Sequence, residues 1–546
     1  MPLSNNHGNL GQSYLTVSKI VAPENTIAKA DYFTDGVDDD EEIQRAIDEV
    51  YAAGGGIVYI REGTYTLNAI GKSTIAIWGA LTVGYGIIIK DNVNLMGAGI
   101  NKTILQITTL PSGGTATGTA TILNETVGLA NIGISDMTLI APDYITGASY
   151  RSSGNIGLKG CNHITLRNLR MEQGGFDING SVYSFNTTTK ELTTDNNHIT
   201  IENVIVDDYL GSCSLNNSKN IYLSHCQFLQ NGDDALTFNT SAQDVKMEHC
   251  IFDQMDQVKT GSSSGLLALM QDGALTGDRH AIKNFDIIGC TFKNHTGLGS
   301  GAQNGITLSN CRDIKILACT ILNNNGSGIA NNGGTSTDNI TIDNCIIRGS
   351  NYGVYFPSVA GISTKHLTIT HNKISNSDIA GIAVDISGTD TVGDNIIIEN
   401  NTLWDDQAVV TQTVGIGLSN NSGVGVITNA IIEGNTITDA TTKINISKTS
   451  GSISASVRNN TGYITENSGT GTIANGATST TITHGLSRTP TVDDIVIIGA
   501  ENPTNDVGTI WVDTLGATTF KVNCKNDPGA SGFDFGWKAI ITRTAF

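Results

Sequence analysis

Ile221-Tyr222-Leu223-Ser224-His225-Cys226-Gln227-Phe228 sets out an alternating apolar segment, then a small residue, then one more apolar residue. The same phrase returns at residues 245–252, 285–292, 314–321 and 340–347, with Cys250, Cys290, Cys319 and Cys345 in the small slot. Further on the slot passes to Asn372, Asn401, Asn435 and Asn460, and in the other direction to Val204, Leu169 and Met137. The intervals run from 22 to 35 residues, with one of 40 where an insertion sits. A period of that size with alternation inside each copy is the mark of a β-solenoid, in which each coil buries one face and pairs its backbone with the coils above and below. Residues of one slot then stack. Cysteine acts there as a small hydrophobe, and an Asn column suits a bend where each amide bonds the next. Cys161, Cys213, Cys311 and Cys524 fall outside this column and receive no role.

An open solenoid end needs a cap. Residues 38–53 carry apolar side chains at 43, 46, 47 and 50, a helical stripe with acids at its start, and Gly54-Gly55-Gly56 ends it. Helix capping accounts for the acidic run more simply than a metal loop does. Next come Ile57-Val58-Tyr59-Ile60 and Gly63-Thr64-Tyr65-Thr66-Leu67, a strand, a turn and a strand.

Composition agrees. The 546 residues include 63 Gly and only 8 Pro, with 39% apolar and 15% charged residues, which describes many short strands and little amphipathic helix. A formal charge of −20, with 31 Lys and Arg, speaks against nucleic acid and anionic membranes as partners, and a polyanionic substrate would need a local basic patch. No stretch reaches the length of an apolar membrane span and no export signal is read at the start. Nine Cys without a CxxC pair point away from zinc and from a disulfide scaffold, and the reading calls for no cofactor and no metal.

From Ala30-Asp31-Tyr32-Phe33-Thr34-Asp35-Gly36 through Gly63-Thr64-Tyr65, the chain resembles the entry segment of the pectate-lyase-like superfamily, where an acidic stretch precedes a capping helix and a Gly-rich strand pair. The resemblance implies an all-β fold: a right-handed parallel β-helix with an N-terminal capping helix. That superfamily holds polygalacturonases, polysaccharide lyases, epimerases and bacteriophage tailspikes, so it specifies fold more than chemistry. After residue 460 the repeat fades. Residues 477–486, 494–498, 509–512, 519–522 and 536–541 read as short strands of a small β-sandwich. Thr483-His484-Gly485-Leu486, Thr489-Pro490-Thr491 and Trp537 are similar to C-terminal domains of phage tail proteins and of some extracellular glycan-active proteins. Expected domains are therefore a leader over 1–29, the β-helix over 30–465 and the sandwich over 466–546. The tailspike resemblance implies a virion-tail or extracellular protein, a homotrimer and a polysaccharide substrate.

Carboxylates in one slot of neighbouring coils offer the paired acids that glycoside hydrolysis needs. Counting a fixed offset from the ladder aligns Asp177, Ser212 and Asp234 in one column, and Glu172, Asp207 and Asp253 in another, with Asp208 and Asp233 nearby. Asn231-Gly232-Asp233-Asp234-Ala235-Leu236 also resembles the polygalacturonase segment whose adjacent aspartates are catalytic, which nominates Asp233 and Asp234. The chain departs from that family at Leu210-Gly211-Ser212 and lacks its later His and Arg-Ile-Lys motifs. The catalytic candidates are Asp234, Asp233, Asp177 and Asp208; the substrate-binding candidates are Tyr209, Lys259, Trp511 and Trp537. For a lyase or epimerase, Tyr209, Lys259, Arg279 and His280 supply the residue types that act as base and charge neutraliser. A receptor-binding spike without catalysis is the third reading, and the acids as ordinary turn residues the plainest one.

Overall fold

A computed structural model describes residues 17–26, 29–69, 75–78, 81–108, 117–142, 153–181, 183–186, 188–189, 191–209, 211–230, 234–254, 265–270, 282–296, 302–332, 336–358, 362–386, 391–420, 425–500, 503–541 and 543–545. The chain forms two compact units, Met1–Ile314 with Asn323–Asn325, and Lys315–Leu322 with Gly326–Phe546.

In the first unit Ile134, Leu166, Ile201, Leu223, Met247 and Ile287 stand in one parallel register on six successive coils, all buried. The repeat phrase has a simple backbone cause. The strand Asn162–Glu172 points Ile164 and Leu166 inward, passes through Asn168 at φ +51°, and then points Leu169 and Met171 inward. One left-handed residue resets the alternation. The same device precedes every ladder residue of this unit, at Asp136, Asn203, His225, His249 and Gly289. Asn, Asp, His and Gly recur there because they tolerate that conformation at small cost. Behind the bend Phe228, Phe252 and Phe292 stack with ring centroids 4.7 Å apart at each step.

The capping helix spans Asp40–Ala52 and buries Ile43, Ala46, Ile47 and Val50. Asp40, Glu41 and Glu42 lie in its first turn, as expected, but Asp39 and Asp40 also do a second job. The Asp39 side chain makes no bond to the helix; its carboxylate accepts the N–H groups of Gly36 and Thr66, each at 2.8 Å, and Asp40 accepts that of Asn68 at 2.7 Å. They fasten the cap to the strand Gly63–Leu67.

The second unit repeats the coil, with Ile342, Ile369, Ile398, Ile432 and Val457 in parallel register. Its bend carries an amide ladder. Asn372 Nδ2 donates to Asn401 Oδ1, Asn401 to Asn435 and Asn435 to Asn460, at 3.0, 3.0 and 2.9 Å, while each Nδ2 also donates to an Ile carbonyl. Towards its end this unit changes to antiparallel pairing. Glu466–Ile473, Phe533–Ile540 and Ile495–Ala500 form one three-stranded sheet, Ser479–Thr483, Thr519–Cys524 and Ile510–Asp513 another, around a core of Phe520, Phe533, Phe535 and Trp537. Among the described residues there is one α-helix, and no helix is long and apolar enough to cross a membrane.

Candidate functional site

Around the bend that follows the ladder, the inward residues are Phe176 and Ile178, then Cys213 and Leu215, then Leu236 and Phe238, all fully buried. Alternation therefore turns Asp177 and Asn179, Ser214 and Asn216, Thr237 and Asn239 to the outer face. Register places Gly157, Asp177, Ser214 and Thr237 opposite one another on four successive coils, continued by Ala268 and Thr307. Gly157 leaves the space beside Asp177 without a side chain.

Asp177 is half-buried and its pKa is pushed up to about 6. Loss of hydration is the main cause, opposed by the Ser214 hydroxyl, which donates to Asp177 Oδ1. Ser214 Oγ also lies 3.2 Å from Asn179 Oδ1, which in turn accepts the Asn216 N–H at 2.8 Å. Asn216 Oδ1 accepts the N–H of Asn239 at 2.5 Å. Ser214 and Thr237 are buried, at 7% and 3% exposure, while Asp177, Asn179, Asn216 and Asn239 are partly exposed, so a polyhydroxylated ligand can reach the amides and the one carboxyl of raised pKa, which can exchange a proton with it.

This register corrects the expected column. Asp234 does not share the slot of Asp177; Thr237 does. The bends differ in length, so that five residues separate Glu172 from Asp177, seven separate Asp207 from Ser214 and eight separate Leu229 from Thr237. A fixed offset slips at the second coil, and Ser212 falls two residues short. Asp234 is buried at 6% exposure, with its Oδ1 accepting the Gly265 N–H at 3.1 Å. Close to it lies a histidine the sequence reading passed over. His295 is buried, its Nδ1 sits 2.9 Å from the Asn304 carbonyl oxygen, and burial lowers its pKa against the opposing influence of that carbonyl and of Asp234. A single His within Asn294-His295-Thr296 carries no spacing signal that would have revealed it.

The second acidic column keeps its register, with Glu172 opposite Asp207, and Leu229 between Asp207 and Asp253. These acids are met by cations. Arg170 pairs with both Glu172 and Asp207, the latter at 2.9 Å, and Lys293 pairs with Asp253 at 2.9 Å. Such pairs answer for the acids structurally, leaving Asp177 as the described carboxyl whose proton affinity is strongly raised.

The other candidates separate. Asp208 is exposed at φ +51° in the bend of the coil that carries Ser214. Tyr209 is buried and packs over Gly175, whose missing Cβ would come within 2.7 Å of its ring. Asp233, Lys259, Arg279 and His280 lie outside the described residues. In the C-terminal sheets Trp511 is 44% exposed, whereas Trp537 is 5% exposed and packs edge-on against Phe520, so Trp537 belongs to the core and not to a sugar-binding face. His484 is likewise fully buried. A hairpin of Tyr183–Asn186 and Glu191–Thr194 follows the Asp177 strand. Gln243 Oε1 accepts the Leu192 N–H at 2.9 Å, and Glu191 reaches Lys219 and Lys283 on the coils either side of Gln243. Among the described residues no group of three or more His, Cys, Asp and Glu is arranged to hold a metal ion.

Residues 304–486 match a family model described as a right-handed β-helix region. Similar curated proteins are mannuronan C5-epimerases of Azotobacter vinelandii: AlgE6 at 38% identity over 108 residues, AlgE4 at 43% over 75 and AlgE2 at 28% over 197. Those stretches cover 19%, 13% and 34% of this chain, but 11%, 12% and 18% of the relatives. Among solved structures a double mutant of the tailspike protein of E. coli bacteriophage HK620 aligns with a TM-score of 0.50 at 12% identity, covering 93% of this chain and 90% of that one. The protein is a right-handed parallel β-helix, in keeping with the pectate-lyase-like superfamily.

Proposed function

We propose that the chain acts on a polysaccharide by acid–base chemistry on the outer face of its first unit, as a glycoside hydrolase of the tailspike type. One observation carries this reading: a half-buried aspartate, Asp177, faces outward among amide and hydroxyl groups with its pKa at about 6, where a carboxyl can both give and take a proton near neutrality. Asp177 is the acid. Its partner is Asp208, exposed at the adjoining bend, while Asp234, buried next to His295, is a reserve candidate, and Asp233, outside the described residues, stays one on sequence alone. A homotrimer in the virion tail, acting on extracellular bacterial glycan, belongs to the same proposal, with the leader, helix and sandwich boundaries at residues 29 and 465.

A second reading has support of its own. The stretches shared with mannuronan C5-epimerases favour proton exchange at a sugar carbon, or elimination, over hydrolysis. One experiment separates them. The protein is incubated in heavy water with a panel of capsular, O-antigen and uronate-containing glycans, and the products are followed by mass spectrometry, reducing-end assay and ultraviolet absorbance. Hydrolysis gives new reducing ends without absorbance or carbon-bound deuterium, elimination gives absorbance, and epimerisation gives deuterium without cleavage. No change in any glycan that binds leaves the protein a receptor-binding spike and ends the enzymatic proposal.

A further inference from the structure

Ser214 has one hydroxyl proton and two acceptors within reach. Its Oγ donates to Asp177 Oδ1 and also lies 3.2 Å from Asn179 Oδ1. Asn179 is not otherwise saturated by the Asn216 N–H it accepts at 2.8 Å, because an amide oxygen has two lone pairs. Ser214 is 7% exposed, so water does not readily replace either bond. Resting on the reading of Asp177 as the acid, we propose that Ser214 is a positioning residue that turns its hydroxyl between Asp177 and Asn179 according to whether Asp177 carries a proton.

The protons balance without any further group. With Asp177 ionised, the Ser214 O–H donates to the carboxylate. When Asp177 gains a proton, its own O–H becomes the donor, Ser214 Oγ becomes the acceptor, and the Ser214 proton swings to Asn179 Oδ1. Both protonation states of the carboxyl are therefore hydrogen-bonded, so neither form is left as a buried unpaired group. This suits a group that must be acid in one half of a cycle and base in the other. The strands packed against Asp177 supply few competing charges. Facing it are Gly157 and, two residues on, Lys159 from the strand Ser153–Lys159, and Cys213 and Ser214 from the other side. Around the preceding bend, Glu172 and Asp207 are engaged with Arg170.

The relay makes two variants move the same titration in opposite directions. Ser214→Ala removes the donor to the ionised form, so Asp177 should titrate about one pH unit higher. Asn179→Ala removes the competing acceptor, committing the Ser214 proton to the carboxylate, so Asp177 should titrate lower by a smaller amount. Ser214→Thr keeps a hydroxyl on a strand that accepts β-branched residues and should restore the original value. The titration is read directly on the full chain by infrared difference spectroscopy of carboxyl groups, with Asp177→Asn as the blank that identifies the band. The pH dependence of kcat on a confirmed glycan is the second readout. Equal Asp177 titrations in wild type, Ser214→Ala and Asn179→Ala overturn the relay whatever the turnover shows. If instead the titration shifts as stated while turnover is indifferent to Asp177→Asn, the relay stands and the assignment of Asp177 as the acid fails.

Discussion

The amide ladder of Asn372, Asn401, Asn435 and Asn460 and the outward column of Gly157, Asp177, Ser214 and Thr237 are both products of coils stacked in register, yet they use that register to opposite ends. In the ladder each buried amide nitrogen donates to a backbone carbonyl of the preceding coil and, up to Asn435, to the amide oxygen of the next, and the column has no net charge to desolvate. In the outward column a carboxyl is held where its charge is costly, and only one hydroxyl offsets that cost. Stacking identical neutral groups is how this fold gains stability; interrupting the stack with a single acid leaves a carboxyl of raised pKa, the group proposed above as the reactive one.

The contrast breaks first at the ladder. Asn401→Ala removes the acceptor of the Asn372 N–H and of one of the two Asn372 amide hydrogens, and the side-chain donor to the Ile369 carbonyl, all in the interior, and a loss of about 3–5 kcal/mol in unfolding free energy is expected. Denaturant unfolding checks it; a loss below about 1 kcal/mol would mean that the ladder is a by-product of register and not a support.

Asp177 should behave in the opposite sense. A carboxyl whose folded-state pKa is raised holds its proton more tightly when folded, so the stability it contributes is complete below about pH 4 and is lost as pH rises through about 6. Asp177→Asn should accordingly stabilise the protein by about 1–2 kcal/mol at pH 8 and by almost nothing at pH 4. Thermal unfolding at the two pH values measures this, and equal effects at both would show that the carboxyl is not strained.

The fold was legible because its signal is repeated. Each coil restates the same pattern of inward apolar residue, left-handed residue and ladder residue, so that misreading one copy is corrected by the others, and the slots from Met137 to Cys290 and from Cys345 to Asn460 could be read by counting. The site was legible only in part. Asp177 was within reach as an acid just after a Gly-Gly bend, but its neighbours were not, because Asp207 to Ser214 and Leu229 to Thr237 span longer bends than Glu172 to Asp177. Register is a property of the backbone pairing, and a bend of changed length alters it without altering the residues that look chemical. Asp234 looked like a partner for that reason. Trp537 misled differently, since a Trp late in a small sandwich reads alike whether it fills the core or faces a sugar.

Smaller effects sharpen the comparison. Arg170→Gln releases Glu172 and Asp207 from a partly exposed cluster, and a change under about 1 kcal/mol is expected in stability, with fall-off as salt is added. A loss several times larger would show that the acid column is under the same strain as Asp177. Least of all should happen at the cysteines. Burial pushes the Cys161 and Cys311 thiols up to about 12, and the ladder thiols of Cys250 and Cys345 are raised too, chiefly by the bonds with Cys226 and Cys319 respectively and then by burial, with the Cys290 bond opposing the rise at Cys250. Alkylation in native buffer should be negligible over hours at pH 8, and rapid labelling of Cys250 or Cys345 would contradict the coil register.

The central claim, that the outward acid and not the ion-paired acids carries the chemistry, is tested most directly by turnover of one confirmed glycan by Asp177→Asn and Asp207→Asn side by side. The account predicts that kcat falls by about 10²- to 10⁴-fold in Asp177→Asn with glycan binding retained, and changes by less than about tenfold in Asp207→Asn. Near-normal turnover in Asp177→Asn, or a collapse confined to Asp207→Asn, would contradict it.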